Sequence, residues 1–136
     1  LNHLDAYIES RKKAASFYDK ALNETEGIDI PKRNKDSEHT FHQYNIKVKN
    51  GRRDELATSL KAKGIPTKVY YPLPIHAHAP YTSCSIFDET KLTNSITISD
   101  EVISLPMHTE LDREQLDFIT NSIIKFMLQQ KEAVTL

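Results

Sequence analysis

The first predicted element is a long amphipathic helix over residues 1–22. Apolar residues recur there at intervals of three and four, with charged residues between them, which places one stripe along an α-helix. The stripe already runs at the first residue without a capping residue, so we expect the helix to continue from a longer chain. After it, the short apolar run at residues 28–30, ahead of Pro31, predicts an edge strand. The stripe consists of Leu1, Leu4, Ile8, Arg11, Ala15, Tyr18 and Leu22.

A strand is predicted over residues 40–48, because apolar and polar residues alternate there. Asn50-Gly51 then predicts a turn into a short helix that ends at Gly64 and Pro66. A glycine one residue beyond a helix is free to take the left-handed conformation, and proline prevents continuation. The strand's apolar face would carry His42, Tyr44, Ile46 and Val48, and the helix would bury Leu56, Ala57 and Leu60.

Residues 67–71 are β-branched and aromatic, which predicts a further strand in the same sheet. Pro72 and Pro74 end it, because proline lacks the N–H that a sheet requires. The polar residues 79–95 are interpreted as a loop, and residues 99–104 as a brief strand or turn leading into Leu105-Pro106. The loop's expected apolar anchors are Tyr81, Phe87 and Leu92.

The last predicted helix begins at Asp112, with Gln115 three residues later as a capping box. Its apolar stripe includes Leu116, Ile119 and Ile123, and the tail after Gln129 is expected to fray. Together these elements predict an α/β, or α+β, two-layer fold, with helices on one face of a small and mainly antiparallel sheet. We assign residues 1–130 to one domain and residues 131–136 to a frayed tail.

Charge and composition narrow the possible functions. The chain has 18 Lys and Arg against 19 Asp and Glu, which argues against a nucleic-acid binder because such proteins need a basic surface. Three glycines are too few for a glycine-rich phosphate loop. The sequence contains no apolar run of about 18 residues, so no membrane span is predicted. The single cysteine, Cys84, excludes an internal disulfide and favours a reducing, cytoplasmic setting.

Candidate chemistry concentrates in the segment that leaves the predicted 67–71 strand. His76 and His78 could share a face and bind zinc, but no third ligand stands at a diagnostic spacing, so no metal site is predicted. Pairing Cys84 with His78 as a nucleophile and base would need an orienting group that the sequence does not show. Lys68 as a Schiff-base lysine would need a desolvated setting, whereas a strand residue of this type is expected to face solvent. These residues alone describe half of a site.

Four segments of the chain form an ordered series. They are LDAYIESRKKA at 4–14, HQY at 42–44, VYYPLPIH at 69–76 and SLPMH at 104–108. In order and separation the series resembles the C-terminal domain of the DegT/DnrJ/EryC1/StrS aminotransferases, and the resemblance covers residues 1–128. Enzymes of this family have the aspartate-aminotransferase fold, use pyridoxal phosphate and transfer an amino group, usually from glutamate, to a keto group on a nucleotide-linked sugar. The chain departs from the family pattern at Thr109, where a proline is common, and at residues 92–97.

The resemblance implies a substrate-binding role for four residues. His76 would line the substrate pocket beside the cofactor, Tyr70 and Tyr71 would shape the same wall, and His42 would sit on the adjacent strand with Tyr44. It also implies that the Schiff-base lysine and the rest of the pyridoxal-phosphate site lie in a large N-terminal domain absent from this chain, so no catalytic residue is assigned here. The intact enzyme would be a homodimer with its active site at the subunit boundary.

Two other functions remain open from the sequence. Some relatives are pyridoxal- or pyridoxamine-phosphate-dependent sugar dehydratases, in which histidine replaces the lysine. A stand-alone module that binds a nucleotide-sugar or a protein partner is the other alternative.

Overall fold

This computed structural model, which describes residues 2–82, 88 and 91–129, contains helices and the strands of one small sheet. In chain order the elements are α1 (Leu4–Leu22), β1 (Ile28–Asp29), β2 (Tyr44–Val48), α2 (Arg53–Ala62), a 3-10 turn (Ile75–Ala77), α3 (Ala79–Thr82), α4 (Thr93–Glu101), β3 (Val102–Leu105) and α5 (Arg113–Leu128).

The sheet has the order β1-β2-β3, and both pairings are antiparallel. Val48 pairs with Ile28, and Tyr44 pairs with Leu105. One face of the sheet packs against α1, α2 and α5, whose buried side chains join those of β2 and β3 in a single core. The predicted two-layer fold is therefore confirmed.

The core forms because apolar residues alternate along β2 and recur at helical spacing on the three long helices. In β2, Tyr44, Ile46 and Val48 are fully buried, as predicted. The stripe of α1 is buried only in its second half, since Leu4 and Tyr7 are 44% and 49% exposed. Helical periodicity identified the face of α1 but not the length over which that face is covered.

The predicted 40–48 strand begins only at Tyr44. Phe41 has a left-handed backbone, with φ of 51°, which breaks the extended geometry ahead of the strand. His42 consequently does not share the buried face of Tyr44 and is exposed. The prediction that His42 continues the alternation was wrong.

The predicted 67–71 strand is reduced to a single bridge, in which Lys68 pairs antiparallel with Ser104 on the free edge of β3. The pairing goes no further, and Val102, the next residue of β3 that faces this edge, has both backbone groups bonded elsewhere. Its N–H bonds to the carbonyl of Ile98 at the end of α4, and its carbonyl accepts a bond from Arg53. The chain therefore leaves the sheet directly after Lys68.

The region interpreted as a polar loop at 79–95 contains α3 and the start of α4, and residues 99–101 end α4 rather than begin a strand. The β-branched residues Thr93, Ile96, Thr97 and Ile98 disfavour a helix locally, so tertiary contacts override propensity here. Tyr81 is 46% exposed and is not a buried anchor. The expected anchor Phe87, Cys84 and the tail beyond Gln129 lie outside the described residues.

The capping box at the start of α5 is confirmed. The Asp112 carboxylate accepts a bond of 2.8 Å from the Gln115 N–H, and the Gln115 side chain accepts one of 3.1 Å from the Asp112 N–H. Asp112→Ala leaves the Gln115 N–H without its partner, so we expect the free energy of unfolding to fall by about 1 kcal/mol in urea titration. Asp112→Asn, which keeps the acceptor oxygen, is the control. An equal loss for both variants would attribute the effect to charge and not to the cap.

No described helix is both long and apolar enough to cross a lipid bilayer.

Candidate functional site

Two exposed tyrosines form the most prominent aromatic surface of the segment that leaves the sheet. Tyr70 and Tyr71 are 42% and 74% exposed, and their ring centroids lie 5.8 Å apart in an edge-to-face arrangement. Leu73 and Ile75, farther along the segment, are also exposed. We refer to Tyr70 and Tyr71 as the tyrosine wall.

The segment after the tyrosine wall is stiffened by its prolines. Pro74 is extended, with φ of −67° and ψ of 153°, and its carbonyl accepts a bond of 3.0 Å from the N–H of Ala77. His76 is therefore carried on the 3-10 turn that follows, where its side chain is half-buried. A side chain on a turn of this kind has little backbone freedom to lose when it binds a ligand.

The predicted site residues do not all come together. Tyr70, Tyr71 and His76 belong to one short segment that follows Lys68, the residue paired with Ser104 of β3. The chain at Lys68 and strand β2 both run antiparallel to β3 and are therefore parallel to each other. His42 precedes Tyr44, which pairs with Leu105, whereas Tyr70 follows Lys68 toward the Val102 end of β3. The sheet thus directs His42 and the tyrosine wall toward opposite ends.

A partly buried polar network extends from the hydroxyl of Tyr44. Its hydroxyl donates a bond of 2.7 Å to Asp19 of α1, and the same carboxylate pairs with Arg33. Burial, followed by the bond to Asp19, raises the pKa of Tyr44 far above its ordinary value of 10.0. The Arg33 guanidinium in turn lies 4.2 Å from the centre of the Phe41 ring. Tyr44 is thus a core residue that connects α1, β2 and the loop before β2.

Sequence reasoning placed Tyr44 near the site but missed this network. Asp19 and Arg33 are separated from Tyr44 by 25 and 11 residues, and neither carries a local motif that indicates a partner.

The tyrosine wall does not line either of two clefts on the described surface. Two clefts open elsewhere on the described surface, one of about 510 Å³ between α1 and α5 and one of about 1330 Å³ that includes Ile30, Lys47 and Ile98. Neither is lined by a residue of the tyrosine wall or by His76. Any ligand on the wall would need a second surface to enclose it.

The described residues do not fit a pyridoxal-phosphate site of their own. A Schiff-base lysine must be desolvated, and none of the described lysines is buried. Lys68, the lysine beside the tyrosine wall, is exposed, as the sequence predicted. The described residues also contain no cluster of three or more His, Cys, Asp or Glu side chains that could hold a metal. Cys84, of the candidate pair with His78, lies outside the described residues.

Comparison with known proteins finds similarity over most of the chain. The profile of the DegT/DnrJ/EryC1/StrS aminotransferase family matches residues 1–124. A pleiotropic regulatory protein of Geobacillus stearothermophilus is 39% identical over 126 residues, which cover 91% of this chain and 33% of that protein. The UDP-N-acetyl-3-dehydro-alpha-D-glucosamine 3-aminotransferase of Acidithiobacillus ferrooxidans is 34% identical over 128 residues, or 89% of this chain and 31% of the enzyme.

The fold is also found in solved structures. The crystal structure of S. venezuelae DesV in complex with a ketimine intermediate superposes with a TM-score of 0.87 at 29% identity. The match covers 94% of this chain and 34% of the DesV chain. The chain therefore spans about a third of the length of the proteins that it resembles.

Proposed function

Because the chain belongs to the DegT/DnrJ/EryC1/StrS aminotransferase family, we propose that residues 1–130 are the C-terminal domain of an aminotransferase that acts on a nucleotide-linked keto sugar. Residues 131–136 would follow as a tail. The family match over residues 1–124 carries the proposal. The names of two relatives support the substrate class, one a UDP-linked 3-dehydro sugar aminotransferase and the other a dTDP-amino-sugar transaminase.

The cofactor of this family is pyridoxal phosphate. No described lysine is buried, which supports the proposal that the lysine that binds the cofactor belongs to a part of the enzyme outside this chain. The contribution of this chain is then to bind and orient the sugar. Glutamate is the proposed amino donor.

The tyrosine wall and His76 are the proposed substrate-binding residues of this domain. Exposed phenol rings can pack against the apolar face of a pyranose, while their hydroxyls and the His76 imidazole can exchange hydrogen bonds with sugar hydroxyls. His42, toward the other end of the sheet, would contact a different part of the substrate. The open shape of the wall fits a pocket that a second domain completes.

The intact enzyme is proposed to be a cytoplasmic homodimer. Large apolar side chains are exposed at Leu4, Tyr7, Ile75 and Phe118, which is more consistent with a covered surface than with an isolated domain. The single cysteine is consistent with a reducing compartment.

The proposed function is tested by comparing the longer protein that carries this chain with the 136-residue chain alone. The longer protein, given pyridoxal phosphate, isotope-labelled glutamate and a UDP- or dTDP-linked keto sugar, should yield a sugar that carries the labelled nitrogen. The chain alone should give no product, and borohydride should trap no cofactor on Lys68. The measurement is mass spectrometry of the sugar and of tryptic peptides.

Other outcomes would support the alternatives. A product that has lost water without gaining nitrogen would indicate a dehydratase. Sugar-nucleotide binding by the 136-residue chain, with no turnover by the longer protein, would indicate a binding module.

A further inference from the structure

Arg53 is a buried arginine with an unusual set of partners. It is the first residue of α2, and it is 8% exposed. Its Nη1 donates to the carbonyl of Ser99 at 3.0 Å and to the carbonyl of Val102 at 3.2 Å. The Asp54 carboxylate lies 2.6 Å from its Nε and balances the charge, although without the geometry of a hydrogen bond. One side chain thus joins the start of α2, the last turn of α4 and the first residue of β3.

The bond to Val102 decides how far the edge of the sheet extends. Lys68 and Ser104 exchange both backbone hydrogen bonds, of 3.2 and 2.7 Å. In an antiparallel ladder the next pair of this kind lies two residues away on each strand, which here would be Tyr70 with Val102. The Val102 carbonyl accepts from Arg53, and the Val102 N–H bonds to Ile98. Tyr70 therefore faces a β3 residue whose N–H and carbonyl are both already bonded.

The bond to Ser99 holds the helix that occupies this edge. Carbonyls in the last turn of a helix have no partner within the helix. A cation at that end also interacts favourably with the negative end of the helix dipole. Ser99 is the only buried residue of α4, so the helix has little packing of its own to hold it in place. Arg53 supplies a fixed attachment for its C-terminal end.

We infer that Arg53 is a positioning residue, which ends the β3 ladder at Lys68 and thereby directs Tyr70 and Tyr71 out of the sheet as an exposed wall. The effect on the position of Tyr70 and Tyr71 follows from the bonds of Arg53 to the carbonyls of Ser99 and Val102. The effect on substrate binding rests, in addition, on the proposed function.

The first test is amide hydrogen exchange of the 136-residue chain, measured by NMR. In Arg53→Met the Val102 carbonyl is free to accept the Tyr70 N–H, so the Tyr70 amide should exchange about tenfold more slowly relative to those of Ile46 and Ile103, in the centre of the β2–β3 ladder. Arg52→Met is the matched control, because the neighbouring Arg52 donates to the carbonyl of Phe126 in α5 and lies over its ring. It should leave this ratio unchanged.

A uniform acceleration of the Tyr70, Ile46 and Ile103 amides would show that Arg53 only stabilises the domain, and would overturn the inference. Arg53→Lys keeps a cation with a shorter reach and should give an intermediate ratio. If Arg53→Met does not fold, Arg53→Lys takes its place in the comparison. An unchanged exchange ratio in Arg53→Lys would then overturn the inference.

The second test uses the longer enzyme. If the wall binds the sugar, Arg53→Met should raise KM for the keto sugar about fivefold to tenfold with kcat and cofactor absorbance nearly unchanged, and Arg53→Lys should recover part of the loss. A changed exchange ratio with an unchanged KM would contradict the substrate role of the tyrosine wall. An unchanged exchange ratio would contradict the role of Arg53 itself.

Discussion

Tyr44→Ala is expected to lower the free energy of unfolding by about 3–5 kcal/mol, the largest effect of any single substitution considered for this domain. Tyr44 is fully buried, its ring centroid lies 4.9 Å from that of Tyr18, and its hydroxyl donates to Asp19. Alanine leaves a cavity between α1 and β2 and removes one partner of a partly buried carboxylate. Urea unfolding of the 136-residue chain, followed by far-UV circular dichroism, measures the loss.

Two variants separate the contributions. Tyr44→Phe keeps the ring but removes the bond to Asp19, and should cost about 1–2 kcal/mol. Tyr7→Ala, at a tyrosine of α1 that is 49% exposed, should cost far less than Tyr44→Ala. Equal losses at positions 7 and 44 would contradict the placement of Tyr44 in the core.

The same network makes stability depend on alkaline pH. Burial raises the pKa of Tyr18, and burial together with Asp19 raises that of Tyr44, above the ordinary value of 10.0. A group with a raised pKa in the folded state contributes stability that is complete below its unfolded pKa and is lost as pH rises above it. The free energy of unfolding should therefore fall above pH 10.0, and less steeply in Tyr44→Phe. An equal slope in both proteins would contradict this contribution of Tyr44.

His76→Ala is expected to reduce turnover or sugar affinity of the longer enzyme about tenfold to hundredfold, which corresponds to roughly 1–3 kcal/mol. The expectation rests on the proposed function and on the rigid 3-10 turn that carries the side chain. If the imidazole exchanges a hydrogen bond with the sugar, its loss removes a group whose position was fixed before binding. Fold and cofactor absorbance should stay unchanged, and steady-state kinetics with the keto sugar provide the measurement.

His78→Ala is the matched control, since His78 stands two residues farther along and is exposed. It should change the kinetic constants little. Equal activity of the two variants, or a larger defect at His78, would show that the substrate contact has been assigned to the wrong imidazole.

Features that depend on contacts within a few residues could be predicted from the sequence. The capping box at Asp112 and Gln115, the left-handed Gly64 after α2, and the buried alternation of Tyr44, Ile46 and Val48 were all predicted and are confirmed. Their partners lie within about one helical turn or in the regular period of a strand. The order of four short segments likewise indicated the family, which the match over residues 1–124 confirms.

The tertiary structure alone decided how the chain leaves the sheet. Residues 67–71 have the composition of a strand, yet the ladder stops at Lys68 because Arg53, 15 residues earlier, and the end of α4, some 30 residues later, occupy the groups of Val102. The link between Tyr44 and Asp19, and the exposure of the first half of α1, likewise depend on residues distant in sequence. Local propensity determines which secondary structure a segment can adopt. Whether the segment adopts that structure depends on the hydrogen-bonding partners that the rest of the fold leaves available to its backbone.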